Sequence, residues 1–240
     1  MIEIVPETGS TNADLADRLK NGAYLREGDW LVADRQSQGK GRQGREWHDG
    51  AGNFMGSTPV HLHEGEPPPQ TLALVAGLAL HNAVLPHVAK AQDVRLKWPN
   101  DLMIGECKLA GILLERVLDI VIIGIGVNLQ SAPSLPDRDT IALSQCGRAP
   151  GRDDFSADLA GRFDAELQRW RNYGLAPIIA RWLECAHEPG TRLEVLEPGG
   201  TRLSGAFDGL DRDGVLQLRL ADGSRRVIHA GEVLLASDRD

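Results

Sequence analysis

Between Val94 and Leu129 the chain breaks into short apolar runs, "VRLKW", "LMI", "KLAGILLER" and "IVIIGIGVNL", separated by "PND", "GE" and "LD". Connections this short join antiparallel neighbours, whereas a parallel pair needs a crossover of a dozen residues or more. The stretch therefore predicts hairpins in a mixed, largely antiparallel sheet. It excludes a doubly wound nucleotide fold, in which each strand is followed by a helix.

The remaining segments supply flanking helices and a second unit. Ser10 or Thr11 stands where a helix N-cap belongs, with Leu15, Ala16 and Leu19 at helical spacing and Gly22 as a stop. "DWLVAD" reads as a buried strand leading into a glycine-rich loop from Gln36 to Gly52, and "NFMGSTPVHLH" as the next strand. "QTLALVAGLALHNAVL" is apolar nearly all round and ends at Pro86, which predicts a buried helix. Phe155, Leu159, Phe163, Leu167 and Trp170, then "APIIARWLECA" after Gly174, predict two amphipathic helices whose Trp170 and Trp182 are core residues. From about Pro189 five strand-like runs, "TRLEVLE", "TRLSGAF", "VLQLRL", "SRRVIH" and "EVLLAS", are punctuated by glycine and suit a small closed or half-closed β-barrel. The division falls at residues 1–187 and 188–240. The whole is an α+β chain.

Composition removes several function classes. The formal net charge is −8, which repels nucleic-acid phosphates unless the cations gather on one face; no such stripe is present, and no nucleic-acid partner is expected. No run approaches the ~18 apolar residues of a membrane span, and the N-terminus lacks the basic and apolar regions of a secretory signal. A cytoplasmic protein is expected. Cys107, Cys146 and Cys185 are far apart and form no C-x-x-C pair, arguing against a disulfide framework or zinc site. Of 26 basic residues only five are lysine: Lys20, Lys40, Lys90, Lys97 and Lys108.

Four stretches carry chemistry. In "GKGRQGR", Gly39, Gly41 and Gly44 spell G-x-G-x-x-G, but "DRQSQ" separates them from the strand and "REWHDGAGN" is turn-like, so neither neighbour of a dinucleotide fingerprint is in place. What remains is a mobile loop able to bring Lys40, Arg42 and Arg45 to a small anion, or else a solvated basic loop. In "KWPNDLMIGECKLAGILLE", Lys97 and Lys108 stand at the two ends of a hairpin, with Asp101 the nearest partner or metal ligand; a salt-bridged hairpin is the structural alternative. In "IGIGVN", Gly124 and Gly126 interrupt a buried strand, which signals close approach by a ligand or another backbone, with Asn128 next to it, or simply tight packing. In "GSTN" a helix cap and a ligand contact are compatible. His61-x-His63 lacks a third ligand, and no nucleophile elbow or Cys/His pair is readable.

Together, "GSTN", "QSQGKGRQGREW", "KWPNDL", "CKLAGILLE" and "IGIGVN", in this order, resemble the biotin protein ligase family from Glu7 to Leu129. The resemblance implies a class II synthetase-like catalytic domain followed by an SH3-like barrel. It implies ATP-dependent activation of biotin to biotinyl-5′-AMP, then transfer to a lysine of a biotin carboxyl carrier protein, by a monomer or homodimer. Ser10, Thr11, Asn12 and Gln36 then line the ureido end of biotin. Gly39, Lys40, Gly41, Arg42, Lys108 and Gly111 complete the biotin site, with Lys108 and Arg42 the catalytic pair. Lys40, Arg42, Arg45, Trp47, Lys97, Asn100, Asp101 and Asn128 fall at ATP or adenylate positions. Mg²⁺ arrives with ATP rather than at a protein-only site.

The chain departs from the family at Lys40, where the loop usually carries arginine; charge is kept but the bidentate fork is lost. The "STN" motif is reached by residue 12, so no DNA-binding segment is expected before it. The competing readings are a lipoate or octanoyl ligase or transferase of related fold, and a non-catalytic biotin sensor.

Overall fold

The computed structural model describes residues 1–235. Seven strands form the first sheet: β1 (Ile2–Thr8), β2 (Trp30–Gln36), β3 (Phe54–His61), β4 (Val94–Lys97), β5 (Asp101–Ile104), β6 (Cys107–Val117) and β7 (Ile120–Val127), in the order β1-β2-β3-β7-β6-β5-β4. Only β1 and β2 run parallel; the other neighbours are antiparallel. The hairpin reading of β4 to β7 holds, and β1 is the strand that the sequence did not announce. Its burial follows no two-residue alternation and Pro6 lies inside it, as suits an edge strand. It is also what makes the sheet mixed.

Strand periodicity gives this sheet two unlike faces. Trp30 and Val32 of β2, Phe54 and Val60 of β3 and Ile123 and Ile125 of β7 join the main core, under α2 (Leu72–Val84), α3 (Arg152–Tyr173) and α4 (Leu175–Cys185). Trp170 is fully buried and its Nε1 donates to Thr71 Oγ1 at 2.8 Å, so the indole gains burial without an orphaned N–H. The alternate residues face the other way. There Leu31 and Ile122 pack with Leu15 under α1 (Thr11–Lys20), and the rest of that face is open.

The second sheet comprises β8 (Arg192–Leu196), β9 (Arg202–Leu210), β10 (Leu216–Arg219), β11 (Arg225–Ile228) and β12 (Glu232–Leu235), all antiparallel in the order β11-β10-β9-β8-β12. The five strands match the five runs; the end of "EVLLAS" lies outside the described residues. The sheets meet through side chains. Trp98 Nε1 donates to Gly214 O at 3.2 Å, and Leu193, Phe207 and Val233 join the main core.

Candidate active site

The register of the first sheet lays out the site. One rung runs Lys97, Asp101, Gly111, Gly126, Met55 across β4, β5, β6, β7 and β3. The next carries Leu113, Gly124 and Ser57. Glycines in the middle of both rungs lower the floor, and a cavity of about 730 Å³ opens above it. All the candidate residues named from the sequence line this cavity except Gly39. Gly39 is buried behind it, where a side chain would meet Trp47 O at 2.6 Å.

At one end the groups are uncharged and tightly bonded. Ser10 occupies the N-cap position of α1, yet no side chain caps the helix. Thr11 turns its polar groups inward instead: its N–H donates to Gln36 Oε1 at 2.7 Å, and its hydroxyl lies 3.0 Å from that oxygen and 2.6 Å from Ser57 Oγ. Ser57 donates to Asn12 Oδ1 at 2.6 Å. Asn12 fits only because Gly124 has no side chain, since a Cβ there would stand 2.4 Å from Asn12 Oδ1. Capping is therefore not the role of "GSTN". Gln36 belongs to the end of β2, in register with Thr8, rather than to the loop.

At the other end charge accumulates. Lys108 Nζ lies 2.6 Å from Asp101 Oδ1 and Lys97 Nζ 3.4 Å from Asp101 Oδ2. The two lysines stand on β4 and β6, flanking β5, rather than at the ends of one hairpin. Burial would push Asp101 up, but Lys108 and Lys97 outweigh it and hold the carboxyl below the ordinary aspartate value. Burial, followed by the Lys108 charge, pulls Lys97 below the ordinary lysine value although Asp101 opposes it. Three groups thus share two positive charges and one negative in a mostly dehydrated corner. Arg42 adds another cation, half-buried and lowered by that burial, with Nη1 3.2 Å from Asn100 Oδ1. Asn100 is mainly scaffold: its Nδ2 donates to Ile112 O at 2.7 Å and its own carbonyl accepts from Ile112 N at 2.9 Å.

The loop over the cavity is a small hairpin. Lys40 bridges to Glu46 and Gly41 N donates to Arg45 O at 2.7 Å; Gln43 and Gly44 turn the chain through positive φ. No helix follows, so the dinucleotide reading stays excluded. Lys40 is exposed at the rim. The Trp47 indole lies along the floor, where a Cβ on Gly126 would be 2.3 Å from its Cε2. Trp47 Nε1 and Asn128 Oδ1 are both buried with no protein partner, so two polar atoms of this cavity await one.

Three contributors escaped the sequence. Ser57 sits inside the apolar run of β3. Glu232, the first residue of β12, pairs with Arg45 of the loop and lies 3.7 Å from Arg138 Nη2, so the second sheet supplies part of the wall. Arg138 belongs to a segment without any readable motif. Asn53 anchors the start of that segment by accepting from the amides of Gln130 and Ser131, and Lys108 fixes its end through backbone bonds to Asp139 and Ile141. The paired imidazoles have no site: His61 Nε2 contacts Leu25 O at 2.7 Å and His63 lies beyond β3.

Comparison with known proteins identifies the family. Residues 6–128 match the biotin/lipoate A/B protein ligase family, and residues 191–235 the biotin protein ligase C terminal domain. A biotin–[acetyl-CoA-carboxylase] ligase of Mycobacterium tuberculosis is 35% identical over 97% of this chain and 88% of its own length. One from Paracoccus denitrificans is 35% identical over 96% and 98%. The solved Aquifex aeolicus biotin protein ligase in complex with biotin and ATP superposes with a TM-score of 0.84 at 26% identity, over 98% of each chain. The chain belongs to the biotin protein ligase family.

Proposed function

We propose that this chain is an ATP-dependent biotin protein ligase acting in two steps. The biotin carboxylate attacks the α-phosphorus of MgATP, giving biotinyl-5′-AMP and pyrophosphate. The side-chain amine of a lysine on a biotin carboxyl carrier protein then attacks the acyl carbon, forming an amide and releasing AMP. The observation that carries this reading is the polarity of one cavity: an uncharged hydrogen-bonding end at Thr11, Asn12 and Gln36, and a cationic end at Lys97, Lys108 and Arg42. A neutral ureido ring suits the first, and a carboxylate brought against a triphosphate suits the second.

The first step forces two anions together, so its barrier is largely electrostatic. Lys108 and Arg42 are the groups we assign to the crowded oxygens, with Lys97 and Asp101 setting the position of Lys108. Asp101 is committed to two lysines, and magnesium is taken to enter as MgATP. Trp47 and Asn128 are assigned to the nucleotide side, where Asn100 holds Arg42, and Arg45 and Lys40 to the phosphates. Residues 1–187 form the catalytic domain and 188–240 the C-terminal domain in this reading. The enzyme works in the cytoplasm as a monomer or homodimer; no helix of the described residues is long and apolar enough to cross a membrane.

Pyrophosphate exchange tests the proposal, because the first step is reversible. Exchange of labelled pyrophosphate into ATP is expected with biotin and not with lipoate or octanoate. Exchange with either of the latter and none with biotin would replace this reading with the lipoate one.

A further inference from the structure

The bonded end of the cavity has a direction, and Glu115, the last residue of "CKLAGILLE" and one to which the sequence assigned no role, sets it. Asn12 Nδ2 donates to Glu115 Oε2 at 2.7 Å, across a separation of 103 residues. A carboxylate can only accept, so Asn12 must turn its NH₂ toward Glu115 and its carbonyl oxygen toward Ser57. Ser57 has one proton and gives it to Asn12 Oδ1 at 2.6 Å. Thr11 must then donate its own proton, to Ser57 Oγ at 2.6 Å or to Gln36 Oε1 at 3.0 Å. Either way its oxygen keeps a free lone pair. Gln36 Oε1 is already held by Thr11 N–H at 2.7 Å, which leaves the Gln36 NH₂ free.

The free valences follow. Thr11 Oγ1 offers an acceptor, while Asn12 and Gln36 offer N–H donors, and all three residues line the cavity. A cyclic urea presents the complement: N–H donors beside one carbonyl. Glu115 stands on β6 seven residues beyond Lys108, about 20 Å along an extended strand. Its negative charge is therefore far from the cationic end and does not oppose a ligand carboxylate placed there.

We propose that Glu115 is a positioning residue for ligand recognition: by accepting from Asn12 it fixes the proton direction of the Asn12–Ser57–Thr11 chain and so selects a ligand end carrying N–H donors beside a carbonyl. The proposal rests on the biotin ligase reading and adds to it a specificity device outside the ligand-lining shell. Removing Glu115 frees the Asn12 amide to flip, which reverses the chain and lets Asn12 Oδ1 and the hydroxyl protons face the ligand.

The test compares the wild type with Glu115→Leu, Glu115→Gln and Ser57→Ala, using biotin and 2-iminobiotin, whose ring carbonyl is replaced by an imino donor. Wild type is expected to prefer biotin. In Glu115→Leu the KM for biotin should rise roughly tenfold, the scale of one well-formed hydrogen bond, and the biotin to 2-iminobiotin ratio of kcat/KM should fall at least about fivefold. The KM for ATP, and the rate of transfer from saturating biotinyl-adenylate to a carrier protein, should be unchanged. Glu115→Gln keeps an acceptor oxygen and should retain the wild-type ratio within about threefold. Ser57→Ala cuts the same chain and should lower the ratio as Glu115→Leu does. An unchanged ratio in both Glu115→Leu and Ser57→Ala overturns the proposal, as does an equal loss for biotin, ATP and transfer, which marks a merely structural role. Absence of biotin-dependent exchange in the wild type instead defeats the ligase reading, and the proposal with it.

Discussion

Gly111 and Gly126 face one another across the β6–β7 ladder, and the Trp47 indole lies against both. The two contacts differ in kind. A Cβ on Gly126 would stand 2.3 Å from Trp47 Cε2, while one on Gly111 would meet first the flexible tip of Lys108, at 3.1 Å from Nζ. Overpacking a rigid ring costs about 1–3 kcal/mol, whereas a lysine tip yields. Gly126→Ala is therefore expected to raise the KM for ATP on the order of tenfold, and Gly111→Ala by less than about threefold. ATP titration of pyrophosphate exchange, with Trp47 fluorescence as a local reporter, measures both. Equal effects would contradict the assignment of Trp47 as the floor of the nucleotide side.

Lys108 has two roles that a pair of variants separates. Its ammonium touches Asp101 at 2.6 Å, and we assign it to charge developing during adenylation. Lys108→Ala is expected to slow single-turnover adenylate formation by about 10²–10³-fold and to destabilise the fold by a few kcal/mol, because Asp101 loses its nearer partner. Lys108→Ala combined with Asp101→Asn should recover most of that stability and none of the rate. Asp101 also predicts an acid limit. Its depressed carboxyl contributes stability that is full above the unfolded value of 3.8 and is lost as pH falls through the lower folded value.

Glu232 ties the second sheet to the loop through Arg45 and approaches Arg138 on the opposite wall. Ordering each loop residue costs ~1–2 kcal/mol of chain entropy, so a tether that holds part of the loop has leverage on ATP binding. Glu232→Ala should raise the KM for ATP several-fold, and trypsin should cleave the ligand-free variant after Lys40, Arg42 or Arg45 faster than it cleaves the wild type. Identical cleavage rates would remove the tether.

His187 joins the two sheets, half-buried, with its Nε2 buried and unpartnered against a void of about 10 Å³ that it shares with Lys97, Trp98 and Phe207. Burial first, then the Lys97 and Arg95 charges, lowers its imidazole from 6.5 to about 4. The sign follows: the unfolded chain takes up a proton below pH 6.5 while the folded chain resists until about pH 4, so stability falls across that window, by on the order of 3 kcal/mol. Urea unfolding at pH 7 and pH 4.5 should show this loss in the wild type and a smaller one in His187→Phe. A parallel pH dependence in both proteins would refute it.

Much of the site was legible because its parts are local in sequence. "KWPND" and "KLAGILLE" are adjacent strands of one meander, so Lys97, Asp101 and Lys108 meet with little help from the rest of the chain. The glycines of "IGIGVN" announce a close approach, because a strand rarely gives up two side chains otherwise. Turn spacing likewise determined the antiparallel meander and the five short strands at the end, and an apolar run with no polar face determined the buried helix. Tertiary structure decided the rest. A hydroxyl such as Ser57 gains meaning only when register sets it beside Gly124 and beneath Asn12, and a one-residue slip would turn it into the core. Glu115 reads as a solvated strand residue until a helix more than a hundred residues away brings Asn12 to it. Ser10 and Thr11 look like caps because local bonding is the first use for a hydroxyl at a helix start; packing gave Thr11 a different partner. Arg138 and Glu232 carry no local signal at all, since their roles come from two segments closing on the same cavity, an encounter paid for by the whole core and visible in neither segment alone.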